Sequence, residues 1–357
     1  MRETYAEIDL EAIRHNALQL IQLIAPAELC AVVKADGYGH GDVPVASAAL
    51  EAGATRLAVA LVEEGIRLRE GGIDAPILIL SEPDLESIDS LAAWDLTPTV
   101  YSSQFVAALA DSGRRLGVHV KVDTGMHRVG VDPLAAPSVF QAVAGAKNLT
   151  LEGVFTHFPV ADEDADFTNG QIESFREAVA SLDVPFVHMA NSAGAILFPD
   201  SRGDFCRVGL SLYGLHPADT TRGLIDLRPA MRVVSRVAYL RPLPAGSRPS
   251  YGRIRSLSSP GPVATIPIGY ADGYARRLTE RGSVLIGGRR HPFAGMVTMD
   301  QMVVAVDDTV EVGDEVVLVG DQGTGTITVD ELAEILGTIT HEVVCSFGPR
   351  IPRRYVG

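Results

Sequence analysis

The chain has 357 residues, 46% of them hydrophobic and 21% charged, enough for two domains around sizeable cores. A formal charge of −15 argues against a nucleic-acid partner. Cys30, Cys206 and Cys345 lie far apart without metal-ligand spacing, and no stretch reads as a signal region or a membrane span, so a reduced, cytoplasmic protein with no metal and no membrane partner is expected.

Residues 10–24 carry Leu10, Ile13, Ala17, Leu20 and Ile24 at helical spacing, with Asp9 placed to cap the start. The stretch that follows, 29–41, reads Leu-Cys-Ala-Val-Val-Lys-Ala-Asp-Gly-Tyr-Gly-His-Gly. An apolar run breaking into glycines predicts a buried strand and a loop, with Lys34 at the join. A lysine there either snorkels to water or is desolvated, and a desolvated lysine is a candidate Schiff-base nucleophile.

Further β-rich runs occur near 56–61, 76–80, 96–101, 117–122, 151–156, 186–190 and 204–208, mostly separated by amphipathic stretches such as 105–110 and 172–179. Eight strands alternating with helices predict a (β/α)8 barrel of the TIM type. An open doubly wound sheet shares the alternation, but no Gly-x-Gly-x-x-Gly opens a first helix. After about residue 228 the pattern becomes strand-rich, with candidates at 231–240, 263–268, 283–286, 302–306, 316–319 and 339–344 and a single helix at 329–336. Gly287-Gly288 and Asp321-Gln-Gly323 punctuate them as turns. The expectation is a barrel over 1–228 and a mostly antiparallel β domain over 229–357.

Chemistry in a barrel belongs at the C-terminal strand ends. Those ends carry Lys34, then Asp123–Arg128, Thr156-His157-Phe158, Ala190–Gly194 and Arg207-Val208-Gly209. A lysine, two arginines, a histidine and a Ser/Gly pair therefore converge on one rim. Ser192 and Gly209 follow strands seven and eight, where this architecture commonly binds phosphate. Asn191-Ser192 also reads as a plain helix cap, and the two roles are compatible.

Val-Val-Lys-Ala-Asp-Gly-Tyr-Gly-His-Gly around Lys34 resembles the cofactor-lysine motif of the alanine racemases. The resemblance extends over the whole chain, through 6–16, Lys121–Arg128, Arg207–Gly214, Ser250-Tyr251-Gly252, Ile268–Tyr274 and Met296–Gln301. It implies a pyridoxal 5′-phosphate enzyme that interconverts L- and D-alanine, built as a barrel plus a β domain. It also implies a head-to-tail homodimer in which each β domain completes the partner's site. Lys34 would hold the cofactor as an imine and act as one base, with Tyr251 from the partner as the other and His157 supporting Tyr251. Tyr38, Ser192, Gly209 and Leu210 would contact the cofactor, and Arg207 its pyridine nitrogen. Arg128, Met299, Tyr270 and Asp300 would meet the substrate, and Lys121 would be N-carboxylated. Three positions depart from the family pattern: His127 and Val208 replace a common glycine and proline, and Pro349 stands where relatives carry serine or tyrosine. Other readings are a racemase of serine or another small amino acid, a barrel-type decarboxylase, and a non-catalytic cofactor carrier; the last lacks a second domain.

Overall fold

The structure, a computed structural model, describes residues 3–357. The chain forms two compact units. One comprises Glu11–Gly37 and Asp42–Arg228; the other comprises Tyr38–Gly41, Pro229–Gly357 and the described residues up to Leu10.

The first strand, β1 (Tyr5–Asp9), belongs to the second unit and leads into the helix Leu10–Ile24. Barrel strands follow: β2 (Glu28–Val32), β3 (Arg56–Val59), β4 (Ile77–Ile79), β5 (Thr97–Val100), β6 (Leu116–Lys121), β7 (Leu149–Phe155), β8 (Phe186–His188) and β9 (Phe205–Val208). All pair in parallel in the order β8-β7-β6-β5-β4-β3-β2-β9. The ends meet where Asp204 N–H donates to Val187 O (2.8 Å) and Arg207 N–H to Ala190 O (3.0 Å), so the sheet is a nearly closed barrel and the open-sheet alternative falls. Strand residues such as Leu57, Ile77, Ile79, Val100, Val118, Val120 and Val154 are fully buried, as a parallel sheet covered by helices requires. Local chemistry marks the helices. Ser102 Oγ accepts from Phe105 N–H to start Ser103–Ser112, and Gly113 ends it in the left-handed region.

The second unit contains β10 (Met231–Arg236), β11 (Tyr239–Leu243), β12 (Gly261–Ile266), β13 (Ser283–Ile286), β14 (Arg289–Pro292), β15 (Met302–Ala305), β16 (Glu315–Gln322), β17 (Gly325–Ile327) and β18 (Arg353–Val356). One sheet runs β14-β13-β16-β10-β1-β18 with β17 on β16; another runs β11-β12-β15. Every pairing is antiparallel except β1 with β18. Gly287 and Gly288, at φ 58° and 76°, make the tight turn between β13 and β14.

Two expectations need correction. Residues 339–344 are not a strand; Thr340–Ser346 is a helix, the second in this region besides Val329–Leu336. Ile339, Thr340, Val343 and Val344 are β-branched, but Val343, Val344 and Phe347 bury one face at helical spacing, and the intervening Thr-His-Glu does not alternate. The other correction is at the N-terminus. Tyr5–Asp9 pairs with β10 and β18, so these residues are not part of the barrel unit. Asp9 closes that strand, its N–H donating to Ala230 O at 2.9 Å.

Candidate active site

Lys34 follows β2 by two residues and opens a left-handed turn. Ala35, Asp36, Gly37 and Tyr38 have φ of 53°, 54°, 58° and 53°. Consecutive non-glycine residues in this region are strained by about 1–2 kcal/mol each. Glu64, on the neighbouring helix Val62–Glu70, holds the turn's first residue. Its buried carboxylate accepts from Ala35 N–H at 2.6 Å, and from Ala60 and Leu61 N–H at 2.8 and 3.1 Å. The only sequence signal for it is a glutamate at the third helical position, which ordinary helix-start chemistry explains equally well. Glu64→Ala should orphan all three donors and lower the unfolding free energy by about 2–4 kcal/mol, given about 1–3 kcal/mol for each buried unsatisfied group and partial relaxation. Urea unfolding compared with Glu64→Gln, which keeps an acceptor, checks this.

Arg207, on β9, is 3% exposed and no carboxylate bonds it among the described residues. Its Nη1 donates to His188 Nδ1 (2.7 Å), and its Nη2 donates to Thr156 O (2.6 Å), Met189 O (2.8 Å) and His157 Nδ1 (3.4 Å). Nε–H is the guanidinium donor left over. Burial pushes the Arg207 pKa down to about 10, so it remains charged at neutral pH. His157 lies at the end of β7. Burial, then the cations Arg207, Lys121, Arg128 and Lys34, hold its pKa well below the ordinary histidine value. A neutral His157 that accepts at Nδ1 carries its hydrogen on Nε2.

Lys121 ends β6 and is 2% exposed. Its Nζ donates to Val129 O at 2.5 Å. Burial brings its pKa down to about 8; Asp123 opposes this, while Arg207 and Arg128 add to it. Asp123 Oδ1 accepts from Gly125 N–H (3.1 Å) and His127 N–H (3.0 Å) and so shapes the loop presenting Arg128, which is exposed. Burial alone would raise the Asp123 pKa, but these amides, Lys121 and His127 bring it below the usual carboxylate value. His127 does sit at positive φ, 52°, where glycine is common in the family pattern. Histidine is among the residues that tolerate this region, and its Nδ1 lies 3.5 Å from Asp123 Oδ2.

Gly209 N–H donates to Ser192 Oγ (3.2 Å), joining the loops after β8 and β9. Asn191 supplies the helix cap, accepting from Gly194 N–H, which leaves Ser192 for another role. Leu210 is buried and begins a 3₁₀ turn ending at Tyr213, whose hydroxyl donates to Val32 O (3.0 Å) below the Lys34 turn. Asn16 Nδ2 braces the same turn through Leu212 O (3.0 Å). Asn16 and Tyr213 lie in stretches that carry the resemblance but were given no role there, and His188 lies outside every motif and was missed by sequence reasoning.

The remaining expected residues lie on the second unit. Tyr38 is buried, with its ring 5.9 Å from that of His341. Burial raises its phenol pKa above the ordinary value. Gly39 must be glycine, because a Cβ would come within 2.5 Å of Val344 O. Tyr251 is 74% exposed in a strained loop, with Ser250 and Arg253 at φ 67° and 47°. Ser250 Oγ donates to Met296 O (2.7 Å), and Tyr270 and Ala271 N–H donate to Thr298 O and Met299 O (both 3.0 Å). The loops carrying Tyr251, Tyr270 and Met299 are thus tied to one another, and Asp300 accepts from Arg350 Nη2 (2.7 Å). The expected residues form two groups: a cationic rim of Lys34, Lys121, Arg128, His157, Ser192, Arg207, Gly209 and Leu210 on the barrel, and Tyr38 with the exposed loops on the other unit.

Comparison with known proteins matches both units. The profile described as "Alanine racemase, N-terminal domain" covers residues 8–217, and "Alanine racemase, C-terminal domain" covers 230–355. An alanine racemase of Symbiobacterium thermophilum is 45% identical over 369 aligned positions, covering 100% of this chain and 98% of the relative. A crystal structure of alanine racemase from E. faecalis superposes with a TM-score of 0.96 at 39% identity, covering 99% of this chain and 98% of that one. A histidine racemase from Leuconostoc mesenteroides superposes with a TM-score of 0.93 at 29% identity, covering 100% and 98%.

Proposed function

The chain belongs to the alanine racemase family, and from that premise we propose that it interconverts L- and D-alanine with pyridoxal 5′-phosphate as its cofactor. The observation that carries the site reading is the barrel rim, where Lys34, Lys121, Arg128 and Arg207 all act on a neutral His157.

The residues present suit that cofactor. Lys34 supplies an amine for its aldehyde. Arg207 keeps Nε–H for the ring nitrogen after its other donors are used within the barrel. Ser192 Oγ and Gly209 N–H stand together where this architecture binds phosphate, and Tyr38 and Leu210 complete the set. When bound, the cofactor supplies an electron-withdrawing ring that acidifies the substrate Cα–H. Arg207 donates to the ring nitrogen but does not surrender its proton. Lys34 takes or returns the Cα proton on one face of the substrate. The partner's Tyr251 does so on the other, its oxygen receiving the Nε2–H of His157. Arg128 binds the carboxylate, and Met299, Tyr270 and Asp300 shape the pocket. In this reading the assembly is a homodimer with shared sites. The exposure of Tyr251 supports it, because a tyrosine left in water is a poor base at neutral pH and needs a partner site to favour its phenolate. The carrier alternative fails because the second domain is present, and the decarboxylase alternative is disfavoured by the Ser250-Tyr251-Gly252 motif.

Purified protein offered a panel of L-amino acids should yield D-alanine fastest. Turnover confined to another amino acid, as the histidine racemase relative makes conceivable, would overturn the alanine assignment.

We also propose that Lys121 carries an N-carboxyl group. Its pKa of about 8 leaves about a tenth of the amine neutral at pH 7, far more than an ordinary lysine keeps, and the neutral amine adds to CO₂ with loss of one proton. The anionic product could pair with Arg128. In ¹³C-bicarbonate the protein should show a carbamate resonance that Lys121→Ala lacks. Unmodified protein should show the lowered pKa in its own pH dependence. Between about 8 and the ordinary 10.5, unfolded Lys121 binds more proton than folded Lys121, so stability should rise with pH across that window. A flat profile in CO₂-free buffer would contradict the lowered pKa.

A further inference from the structure

We propose that His119, two hydrogen bonds behind the rim, is a positioning residue that fixes Arg207 by setting the tautomer of His188. The inference rests on the reading of Arg207 as the residue that meets the cofactor ring.

The proton positions follow from one asymmetry: a guanidinium only donates. Arg207 Nη1 lies 2.7 Å from His188 Nδ1, so that nitrogen is the unprotonated one. The His188 hydrogen is therefore on Nε2, which lies 2.9 Å from His119 Nδ1. His119 Nδ1 must then accept, and its own hydrogen is on Nε2. Each ring has one role, dictated by its neighbour.

Packing prevents the rings from escaping those roles. His188 stacks on Phe155 (4.8 Å, 10°) and on Phe205 (4.0 Å, 25°). His119 fits only because residue 153 is glycine; a Cβ there would stand 2.3 Å from His119 Nδ1. His188 and His119 are 0% and 4% exposed. Burial first, and then the charges of Arg207 and Arg56, keep both rings neutral, with His119 lowered to about 3. Neutrality matters, because a protonated His188 would turn an N–H toward Arg207. Without the acceptor on His119, the His188 Nε2–H would be orphaned between aromatic rings. Moving the hydrogen to Nδ1 would oppose the Arg207 donor, so either response releases the guanidinium.

The test uses ¹⁵N-histidine-labelled protein, with and without pyridoxal phosphate. Wild-type His188 should give the Nε2–H tautomer in both states. His119→Leu, which has no acceptor, should lose that signature and raise the pyridoxal phosphate dissociation constant about tenfold, toward the low end of what an orphaned buried donor costs. His119→Asn, whose Oδ1 can take the place of Nδ1, should recover both. An Nδ1–H tautomer of His188 in the wild type would overturn the inference. So would a His119→Leu protein that melts earlier but keeps wild-type cofactor affinity. If the wild type takes up no pyridoxal phosphate, the functional reading fails, while the tautomer measurement on the ligand-free protein still decides this one.

Discussion

Lys34→Ala is expected to give a folded protein that neither retains pyridoxal phosphate covalently nor racemises alanine. The chain has only three lysines, Lys34, Lys121 and Lys147. Lys121 is buried and committed to Val129 O, and Lys147 is exposed in the loop before β7, at the opposite end of the strands from the rim. No second amine can therefore substitute. In the proposed scheme the loss would combine two effects, cofactor attachment and the base on one face of the substrate. The second alone is worth about 100- to 10,000-fold. The backbone cost should be small, because Lys34 precedes the strained residues and the Glu64 contacts are to Ala35, Ala60 and Leu61. Borohydride reduction of the wild type followed by peptide mass spectrometry should place the adduct on Lys34. An adduct on Lys121 would refute the assignment.

Tyr251→Phe should be nearly as damaging, but in one direction only. A phenol is a poor base at neutral pH unless its phenolate is favoured. In the proposed scheme the Nε2–H of His157, whose other nitrogen faces Arg207, would provide that stabilisation. Removing the hydroxyl should slow proton abstraction from one enantiomer by about 100- to 10,000-fold. Exchange of the Cα proton through Lys34 should survive with the other enantiomer; by family resemblance the survivor is D-alanine. Mixed dimers of Lys34→Ala with Tyr251→Phe should recover activity, since one hybrid site holds both wild-type groups. Equal loss of exchange with both enantiomers, or no recovery in demonstrated heterodimers, would contradict the two-base scheme.

The barrel was legible because its signal is repetitive: eight short apolar runs at regular spacing leave few architectures to choose from. The rim was legible because strand ends in a barrel share one face, so Lys34, His157 and Arg207 could be gathered without knowing a single contact. Tertiary context decided what the sequence left open. Residues 340–346 have β-branched composition but helical burial. Tyr5–Asp9 is too short to announce a partner found only after residue 228. Glu64, His188 and His119 act through neighbours distant in sequence, so nothing local distinguishes them from a helix-start glutamate and two core histidines. His127 shows the opposite case: it stands where the family pattern has a glycine, and the loop does adopt a positive φ there.

The placement of β1 has a consequence for how the chain is made. Tyr5–Asp9 is an inner strand, with β10 on one edge and β18, four residues ending at Val356, on the other. During synthesis it leaves the ribosome long before its last neighbour, Arg353–Val356, is translated. The barrel unit can assemble from Glu11–Gly37 and Asp42–Arg228 while this strand waits with unpaired backbone groups. Joining segments so distant is slow, because loop closure precedes any gain from pairing. A waiting strand edge is also a template for wrong partners. The polar Glu7 and the charged Asp9 along it interrupt the apolar Ala6 and Ile8 and make it a poor one.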